Sequence, residues 1–238
     1  MNTTVARLTV RGLFGRRRAL LLLLVPALLL VIAVVARNSD SDKHDLIQSV
    51  VGQLGLGTLV PILGLIVGTG VIANEIDDGS IVYLLAKPLP RWKIVTSKLA
   101  VAIGTTWLFA AVPVLVAGLI IYGNQDNLAV GYTLGALASG AAYSAFFLLL
   151  GVVTRHAVVA GLAYALVWES LVGTYVKGAK TLSIQQWGLS IAEATATEGA
   201  LTAPVALGVA LALLTAVTSI ATILAATRLA GLTLASEE

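Results

Sequence analysis

Long apolar segments alternate with short polar segments along this chain of 238 residues. Six apolar segments carry little or no charge, and each is near or above the roughly 20 residues that a helix needs to cross a hydrocarbon layer about 30 Å thick. Backbone amides in lipid must be satisfied within the segment, and the apolar runs are continuous rather than alternating, so helices are predicted and strands are not. The predicted spans are Ala19–Ala36, Val50–Ala73, Leu99–Tyr122, Leu128–Thr154, Ala157–Val176 and Ala203–Thr227.

The composition agrees with a membrane protein. Hydrophobic residues make up 58% of the chain and Asp, Glu, Lys and Arg only 11%, whereas a soluble domain carries about a quarter of its residues as charged side chains. We therefore expect a single all-α integral membrane domain over residues 1–238. The chain has no cysteine and only two histidines, far apart at His44 and His156. Neither a disulfide nor a metal or other cofactor site is predicted, and nothing favours nucleic acid as a partner.

The basic residues divide unequally between the two sides of the predicted bundle. Lys and Arg near the ends of spans favour the cytoplasmic side. With both termini in the cytoplasm, that side holds eleven of the fifteen basic residues, and Arg37, Lys43, Lys177 and Lys180 lie on the other side. We therefore predict a multi-pass protein of the plasma membrane with cytoplasmic N and C termini. The richness in Ala, Val, Leu and Gly suits a bacterium with GC-rich DNA.

Residues 1–18 form a basic arm before the first span. A cleaved signal peptide is disfavoured, because Ala19–Ala36 is longer than an ordinary signal core and no clear A-x-A site follows it. Two interpretations of the arm stay open. Val5, Leu8 and Phe14 could line one side of a short amphipathic helix on the inner leaflet. Alternatively, the arm only supplies the charge that orients the first span.

The longest polar interval between two spans is residues 74–98, which we call the elbow. The charge distribution places the elbow in the cytoplasm. Its sequence predicts a helix end near Gly79, then a short amphipathic helix that Pro88 ends, then a new helix from Pro90. On physical grounds the elbow is either a turn that rests on lipid headgroups or a docking site for a cytosolic partner.

The elbow also carries a pattern with a family resemblance. It reads Glu75-x-x-x-Gly79-Ser80, then Leu84-Leu85-x-x-Pro88-Leu89-x-Arg91, then Lys98. This pattern, between the second and third of six spans, resembles the coupling region of ABC-2 type transporter permeases, which is roughly E-x-x-x-G-T, L-L-x-x-P-I-x-R and a later lysine. Ser80 replaces the usual Thr and Leu89 the usual Ile. The resemblance implies contact with a separate ATP-binding subunit through Glu75, Gly79, Ser80, Leu84, Leu85, Pro88, Arg91 and Lys98.

A transporter of the family that the elbow resembles also needs a source of energy. A Walker A loop requires Gly followed by Lys, and no Gly-Lys pair occurs in the sequence. We therefore expect that this chain is not itself an ATPase. The resemblance implies two copies of a partner ATPase that bind ATP and Mg, and a second permease half, identical or similar. Such a complex would be an ABC exporter that moves an amphipathic or hydrophobic cargo out of the cytoplasm.

Two other functions stay open. A gradient-driven secondary transporter needs ionisable residues inside its spans, and Glu169 is the candidate here. It lies about two helical turns from Val176, near the predicted outer end of its span. A carboxylate there could reach outer-leaflet water or a polar patch, and we favour that interpretation over a role in transport. A non-transport scaffold for an extracytoplasmic assembly process would keep the same topology and move no cargo.

Smaller patterns predict local features of the bundle. Two glycine pairs have the four-residue spacing that permits close helix packing, and three prolines inside spans each remove a backbone donor and favour a kink. The pairs are Gly64 with Gly68 and Gly131 with Gly135; the prolines are Pro26, Pro61 and Pro113. Residues 177–202 are predicted to lie on the outer side, where Trp187 and neighbouring apolar residues favour a segment that dips into the outer leaflet over an ordered surface loop.

Overall fold

A computed structural model describes residues 7–10, 13, 16–72, 90–172 and 179–231 of the chain. These residues form helices and connecting turns, and no strand occurs among them, as the continuous apolar runs predict. In chain order the helices are α1 (Arg16–Arg37), α2 (Lys43–Gly70), α3 (Arg91–Ile121), α4 (Leu128–Val153), α5 (Ala157–Ala163, continued by a π-helical segment, Tyr164–Val172), α6 (Ile184–Thr195) and α7 (Leu207–Gly231). Short 3₁₀ turns lie at Gln125–Asn127 and Ala179–Leu182.

Five of the helices are long and apolar enough to cross a membrane, namely α1, α2, α3, α4 and α7. Each overlaps one of the predicted spans, so the all-helical membrane fold is confirmed. The remaining predicted span corresponds to α5, whose described part covers only residues 157–172. The next residues, 173–178, lie outside the described part of the chain. The six-span count and the cytoplasmic termini therefore stay predictions.

Two helices begin earlier than their apolar runs. Helix α2 starts at Lys43, where the Asp42 side chain accepts a hydrogen bond from the His44 amide at 2.9 Å and caps the first turn. Helix α3 starts directly after Pro90. A polar first turn is invisible to a search for apolar runs, which explains why the apolar runs begin at Val50 and Leu99, about two turns after the helices do. The start of α3 agrees with the helix that the elbow sequence predicts from Pro90.

The prolines of α2 and α3 each follow a π-helical segment. Ile47–Leu59 precedes Pro61 and Trp107–Ala111 precedes Pro113. At the end of both segments a backbone amide reaches five residues back, from Val60 to the Gly55 carbonyl and from Val112 to the Trp107 carbonyl. Because proline has no amide hydrogen for the ordinary four-residue bond, a wider turn accommodates it.

Helix α4 is the centre of the bundle and contacts α2, α3, α5, α6 and α7. The two glycine pairs explain how its neighbours come so close. A Cβ on Gly64 would lie 2.8 Å from the Tyr143 Cβ, and one on Gly68 would lie 2.8 Å from the Phe147 Cβ and 3.0 Å from the Ser144 carbonyl oxygen. Both glycines of α2 therefore allow α2 and α4 to pack at a distance that no larger residue permits.

Helices α1 and α7 are peripheral, and only 22% of each apolar window is buried. Helix α1 packs on α2 and α3 and exposes a broad leucine and valine surface on its other side. Helix α7 packs on α3, α4 and α6 and is similarly exposed. Apolar faces of this kind face lipid or a second membrane protein. In the basic arm, residues 7–10 and 13 are helical, with Leu8 exposed and Leu13 buried.

Three loops predicted to lie outside the cell meet at one end of the bundle, which we call the outer end. The His44 Nε2 lies 2.9 Å from the Ala200 carbonyl oxygen, and the Thr197 amide donates to the Asp126 carbonyl oxygen at 2.9 Å. The Tyr122 hydroxyl donates to the Asp126 carboxylate at 3.2 Å. Desolvation, together with this hydrogen bond, raises the pKa of Tyr122 above its usual value. The structure thus places the three loops on the same side of the bundle.

Candidate functional site

Most of the elbow lies outside the described part of the chain. Glu75, Gly79, Ser80, Leu84, Leu85 and Pro88 fall within residues 73–89, of which the structure describes nothing. The other two predicted coupling residues, Arg91 and Lys98, lie in the first two turns of α3. The structure therefore describes the residues on either side of this gap, Val71–Ile72 at the end of α2 and Pro90 with the first turns of α3. We call this region the base of the elbow.

Lys98 joins these two ends. Its side chain is fully buried, and its Nζ donates a hydrogen bond to the carbonyl oxygen of Val71 at 2.5 Å. Val71 is the residue at which α2 ends, so a cation is placed where unpaired carbonyl groups and the helix dipole carry negative charge. A buried ammonium group is costly unless it is well paired. Lys98 therefore ties the end of α2 to α3 at the base of the elbow.

The first turn of α3 carries the features of a membrane–water interface. Trp92 is 58% exposed, and the Lys93 Nζ lies 5.8 Å from the centre of its ring. Tryptophan anchors helices at the interface and lysine extends its charge toward water. Arg91, at the first position of the helix, is half-buried. The base of the elbow thus has the exposed aromatic and basic residues expected near the headgroups.

The second candidate site is a cluster around Glu169, whose side chain is only 3% exposed. The Oε1 atom accepts hydrogen bonds from the Tyr143 hydroxyl at 2.9 Å, the Tyr164 hydroxyl at 3.0 Å and the Ile184 amide at 3.1 Å. The Oε2 atom accepts a short hydrogen bond from the Ser183 hydroxyl. Four donors from α4, α5 and the start of α6 thus converge on one carboxylate. We call these five residues the carboxylate cluster.

The carboxylate cluster fixes the start of α6. Ser183 is the residue before α6, and its hydroxyl accepts a hydrogen bond from the Gln186 amide at 3.3 Å while it donates to Glu169. The serine thereby caps the helix and connects it to the glutamate. A negative carboxylate beside the first turn of a helix is also stabilised by the helix dipole.

Helix α6 runs antiparallel to α4 along its outer half. A Cβ on Gly131 would lie 2.7 Å from the Ala192 carbonyl oxygen, and a Cβ on Gly135 would lie 2.4 Å from that of Gly188. The same register brings Ile184 level with Ser139, which is eleven residues along α4 from Leu128. At 1.5 Å per residue this is about 16 Å from the outer end of α4. Helix α6 therefore begins deep in the bundle and rises toward the outer end.

The sequence identified Glu169 but none of its partners. Its carboxylate ends among hydroxyl groups in the interior rather than in solvent. Tyr143 and Tyr164 are 26 and 5 residues away in sequence, and Ser183 lies beyond the end of the predicted span. The available signal was a tyrosine in each of two apolar segments, because a buried tyrosine hydroxyl usually has a hydrogen-bond partner. Sequence spacing alone does not show that Glu169 is the partner of these two tyrosines.

The five apolar helices, the buried polar clusters and the interfacial base of the elbow define a multi-pass helical membrane protein. Comparison with protein families identifies the class further. A family model described as ABC-2 family transporter protein matches residues 15–176, which is well over half of the chain. The chain belongs to this family, as its elbow pattern predicts. No curated protein matches the chain in sequence. Membrane proteins of this family generally work with ATPase partners.

Proposed function

We propose that this chain is the membrane permease subunit of an ATP-driven exporter. The observation that carries the proposal is the Lys98–Val71 hydrogen bond, which lies at the base of the elbow in a member of the ABC-2 family. In the proposed complex two copies of a separate ATPase bind ATP and Mg, dock on the elbow and move it as they close. The elbow residues from Glu75 to Pro88, with Arg91, supply the docking contacts.

The packing supports a path for this movement from the elbow to the outer end. Lys98 makes the ends of α2 and α3 move together. Gly64 and Gly68 lock α2 against α4, and Gly131 and Gly135 lock α4 against α6. Close-packed interiors transmit displacement because they have no free volume in which to absorb it. A push on the elbow would therefore reach α6 through two tight helix crossings.

Helix α6 is the proposed outer closure of the pathway. It begins deep in the bundle and is held there by the carboxylate cluster. Residues 177–202 would thus dip into the outer leaflet, with Trp187 buried against the bundle. The pathway itself would form between two permease halves, because α1 and α7 expose apolar faces that a second copy could cover. Apolar and small side chains along such a pathway favour an amphipathic or hydrophobic cargo.

Co-purification and coupled ATPase activity test the proposal. The chain is expressed together with a candidate ABC ATPase from the same genome, and the complex is reconstituted in vesicles. Arg91→Glu is expected to weaken assembly with the ATPase, whereas Arg155→Glu, an exposed arginine in the loop after α4, serves as the matched control. Lys98→Met is expected to leave assembly intact and to lower cargo-stimulated ATPase activity at least about fivefold, the lower range of coupling between sites. Lys93→Met, on the exposed side of the same helix, should leave both unchanged.

Two results would count against the proposal. If no ATPase co-purifies with the chain, and the chain still moves cargo, the energy enters in another way. If Arg91→Glu and Lys98→Met both assemble and transport normally, the elbow is not the coupling site.

A gradient-driven transporter is the second candidate, and one observation favours it. Glu169 is a buried carboxylate among hydroxyl groups, and such residues mark ion or proton pathways in membrane transporters. Transport that collapses when the proton gradient is dissipated, and persists without ATP, would favour this candidate. Transport that follows ATP and ignores the gradient leaves Glu169 with the structural role of holding α6.

A further inference from the structure

A polar cavity opens at the outer end and extends inward between α2, α4 and α6. Its volume is about 610 Å³, and one wall is the loop at residues 199–204. Five glutamines occur in the whole chain, at positions 48, 53, 125, 185 and 186. Four of the five, all except Gln125, line this one cavity. In a chain with 58% hydrophobic residues such a concentration of side-chain amides needs a physical reason.

The amides face one another across the cavity. Gln48 and Gln53 come from the outer part of α2, and Gln185 and Gln186 come from the first turn of α6. Since α6 begins about 16 Å below the outer end of α4, the glutamines of α6 lie at the inner part of the cavity. Within the described residues, the side-chain amides of Gln53, Gln185 and Gln186 make no hydrogen bond to another protein group. Each amide therefore keeps two donors and one acceptor oxygen for a ligand.

The remaining lining residues limit the charge of that ligand. Among the described residues that line the cavity none is acidic, and Lys180 is the one side chain with a fixed charge. His44 is engaged at both ring nitrogens, with the Ala200 carbonyl oxygen at 2.9 Å and with the Gln48 amide nitrogen at 3.4 Å. Nε2 donates to the carbonyl oxygen, so the imidazole is held by groups of the protein and its ring nitrogens are not left for a ligand. Neither a cation nor a multiply charged anion fits such a lining.

We propose that this cavity binds an uncharged, hydroxyl-rich group, with the chemistry of a sugar ring. A hydroxyl group both donates and accepts, and a side-chain amide offers both functions side by side, so neighbouring hydroxyls on a ring match the lining. Leu189 supplies an apolar contact for the C–H surface of the ring. The volume lies within the usual range for small-molecule sites. The sugar is either a free saccharide from the outer solution or the headgroup of a glycolipid in the outer leaflet.

The proposal does not depend on ATP coupling and can be tested on the purified chain. The probes are maltose, measured by ligand-observed NMR, and glucosyl-diacylglycerol in nanodiscs, measured by native mass spectrometry. Phosphatidylglycerol in the same nanodiscs is the charged comparison. The variant Gln53→Leu/Gln186→Leu removes two free amides and spares Gln185, which packs directly against Gly57. Gln125→Leu changes the one glutamine outside the cavity and is the matched control.

We expect either maltose or the glucosyl lipid to bind the native chain and the Gln125→Leu variant equally well. The double variant should bind about tenfold more weakly, the effect of losing two modest hydrogen bonds. Binding of maltose identifies a free saccharide as the ligand, and binding of the lipid alone identifies a headgroup. If the double variant does not fold, as shown by its thermal unfolding, Gln53→Asn and Gln186→Asn replace it and should bind several-fold more weakly because the amide is withdrawn by about one bond length.

Three outcomes would overturn the proposal. In the first, neither sugar probe binds. In the second, the double variant binds as well as the native chain, so the amides do not contribute. In the third, phosphatidylglycerol outcompetes the glucosyl lipid in a manner that requires Gln53 and Gln186, which would make the ligand a charged one.

Discussion

Gly135 and Gly188 touch backbone to backbone where α4 crosses α6. A Cβ on Gly135 would stand 2.4 Å from the Gly188 carbonyl oxygen, and a Cβ on Gly188 would stand 3.1 Å from that of Gly135. Real Cβ atoms do not approach a backbone oxygen as closely as the first distance. The depth at which α6 sits against α4 is therefore set by the absence of side chains at these two positions.

Gly135→Ala should destabilise the bundle by about 1–3 kcal/mol, because the added methyl group meets backbone that cannot move without displacing α6. The loss can be measured as a decrease in the thermal unfolding midpoint in detergent. Gly104→Ala is the matched control, since a Cβ there meets nothing within 4 Å. Alanine has the higher helix propensity, so the control should be neutral or slightly stabilised. Equal effects of the two substitutions would contradict the close crossing.

Gly57→Ala should be much milder, although its contact is nearly as short. A Cβ on Gly57 would lie 2.5 Å from the Gln185 Nε2, which is the end of a flexible side chain. The amide can rotate away at the cost of a rotamer change, about 0.5–1.5 kcal/mol. We expect an unfolding midpoint close to that of the native chain. A loss as large as that of Gly135→Ala would mean that the Gln185 amide cannot move.

Glu169→Gln should loosen α6 without unfolding the bundle. The amide nitrogen of glutamine would face donors at the carboxylate cluster, and a buried donor left without an acceptor costs about 1–3 kcal/mol. Tyr143→Phe removes one of the four donors and should cost less, about 1 kcal/mol. Hydrogen exchange of residues 184–195 measures both effects, since amides of α6 exchange faster when its first turn is released.

Glu198→Gln is the control for this experiment, because Glu198 is exposed in the loop after α6. It should leave the exchange of α6 unchanged. Slow exchange of α6 in the Glu169→Gln variant would show that the carboxylate cluster does not hold the helix.

Lys98→Met should release the end of α2. Methionine fills a similar volume but donates no hydrogen bond, so the Val71 carbonyl loses the ammonium group that satisfies it. The expected cost is about 1–3 kcal/mol. Hydrogen exchange at Val71 and Ile72 should accelerate, whereas Lys93→Met should not affect it. Unchanged exchange in the Lys98→Met variant would mean that this hydrogen bond does not stabilise the base of the elbow.

Much of the helical framework was predictable from the sequence. Continuous apolar runs dictate helices, because backbone groups in lipid have no other partners. The helix start at Lys43 was missed, because a polar first turn does not look apolar, whereas the helix that begins directly after Pro90 was predicted from the proline. Prolines 61 and 113 were recognised as irregular positions, but the wide turn that accommodates each of them follows from backbone hydrogen bonding.

The candidate sites were predictable in part. The elbow pattern led to the ABC-2 family, and the family match confirms it. Glu169 was recognised because an ionisable residue inside a span is rare. Its four donors could not be assigned, since Tyr143, Tyr164 and Ser183 meet it only after α4, α5 and α6 have packed. The glutamine-lined cavity likewise joins residues that are more than 130 positions apart in sequence.

By itself, the sequence determined that this is a helical membrane protein of the ABC-2 family, because hydrophobic length and a short charged pattern are local properties of the chain. The tertiary structure decided which helices lie side by side. That choice rests on contacts such as Gly135 with Gly188, where the absence of a side chain matters only because another backbone passes there. The hydrogen bonds of Lys98 to Val71 and of Ser183 to Glu169 likewise depend on which helices pack together. A buried charge needs partners, and packing determines which partners are within reach.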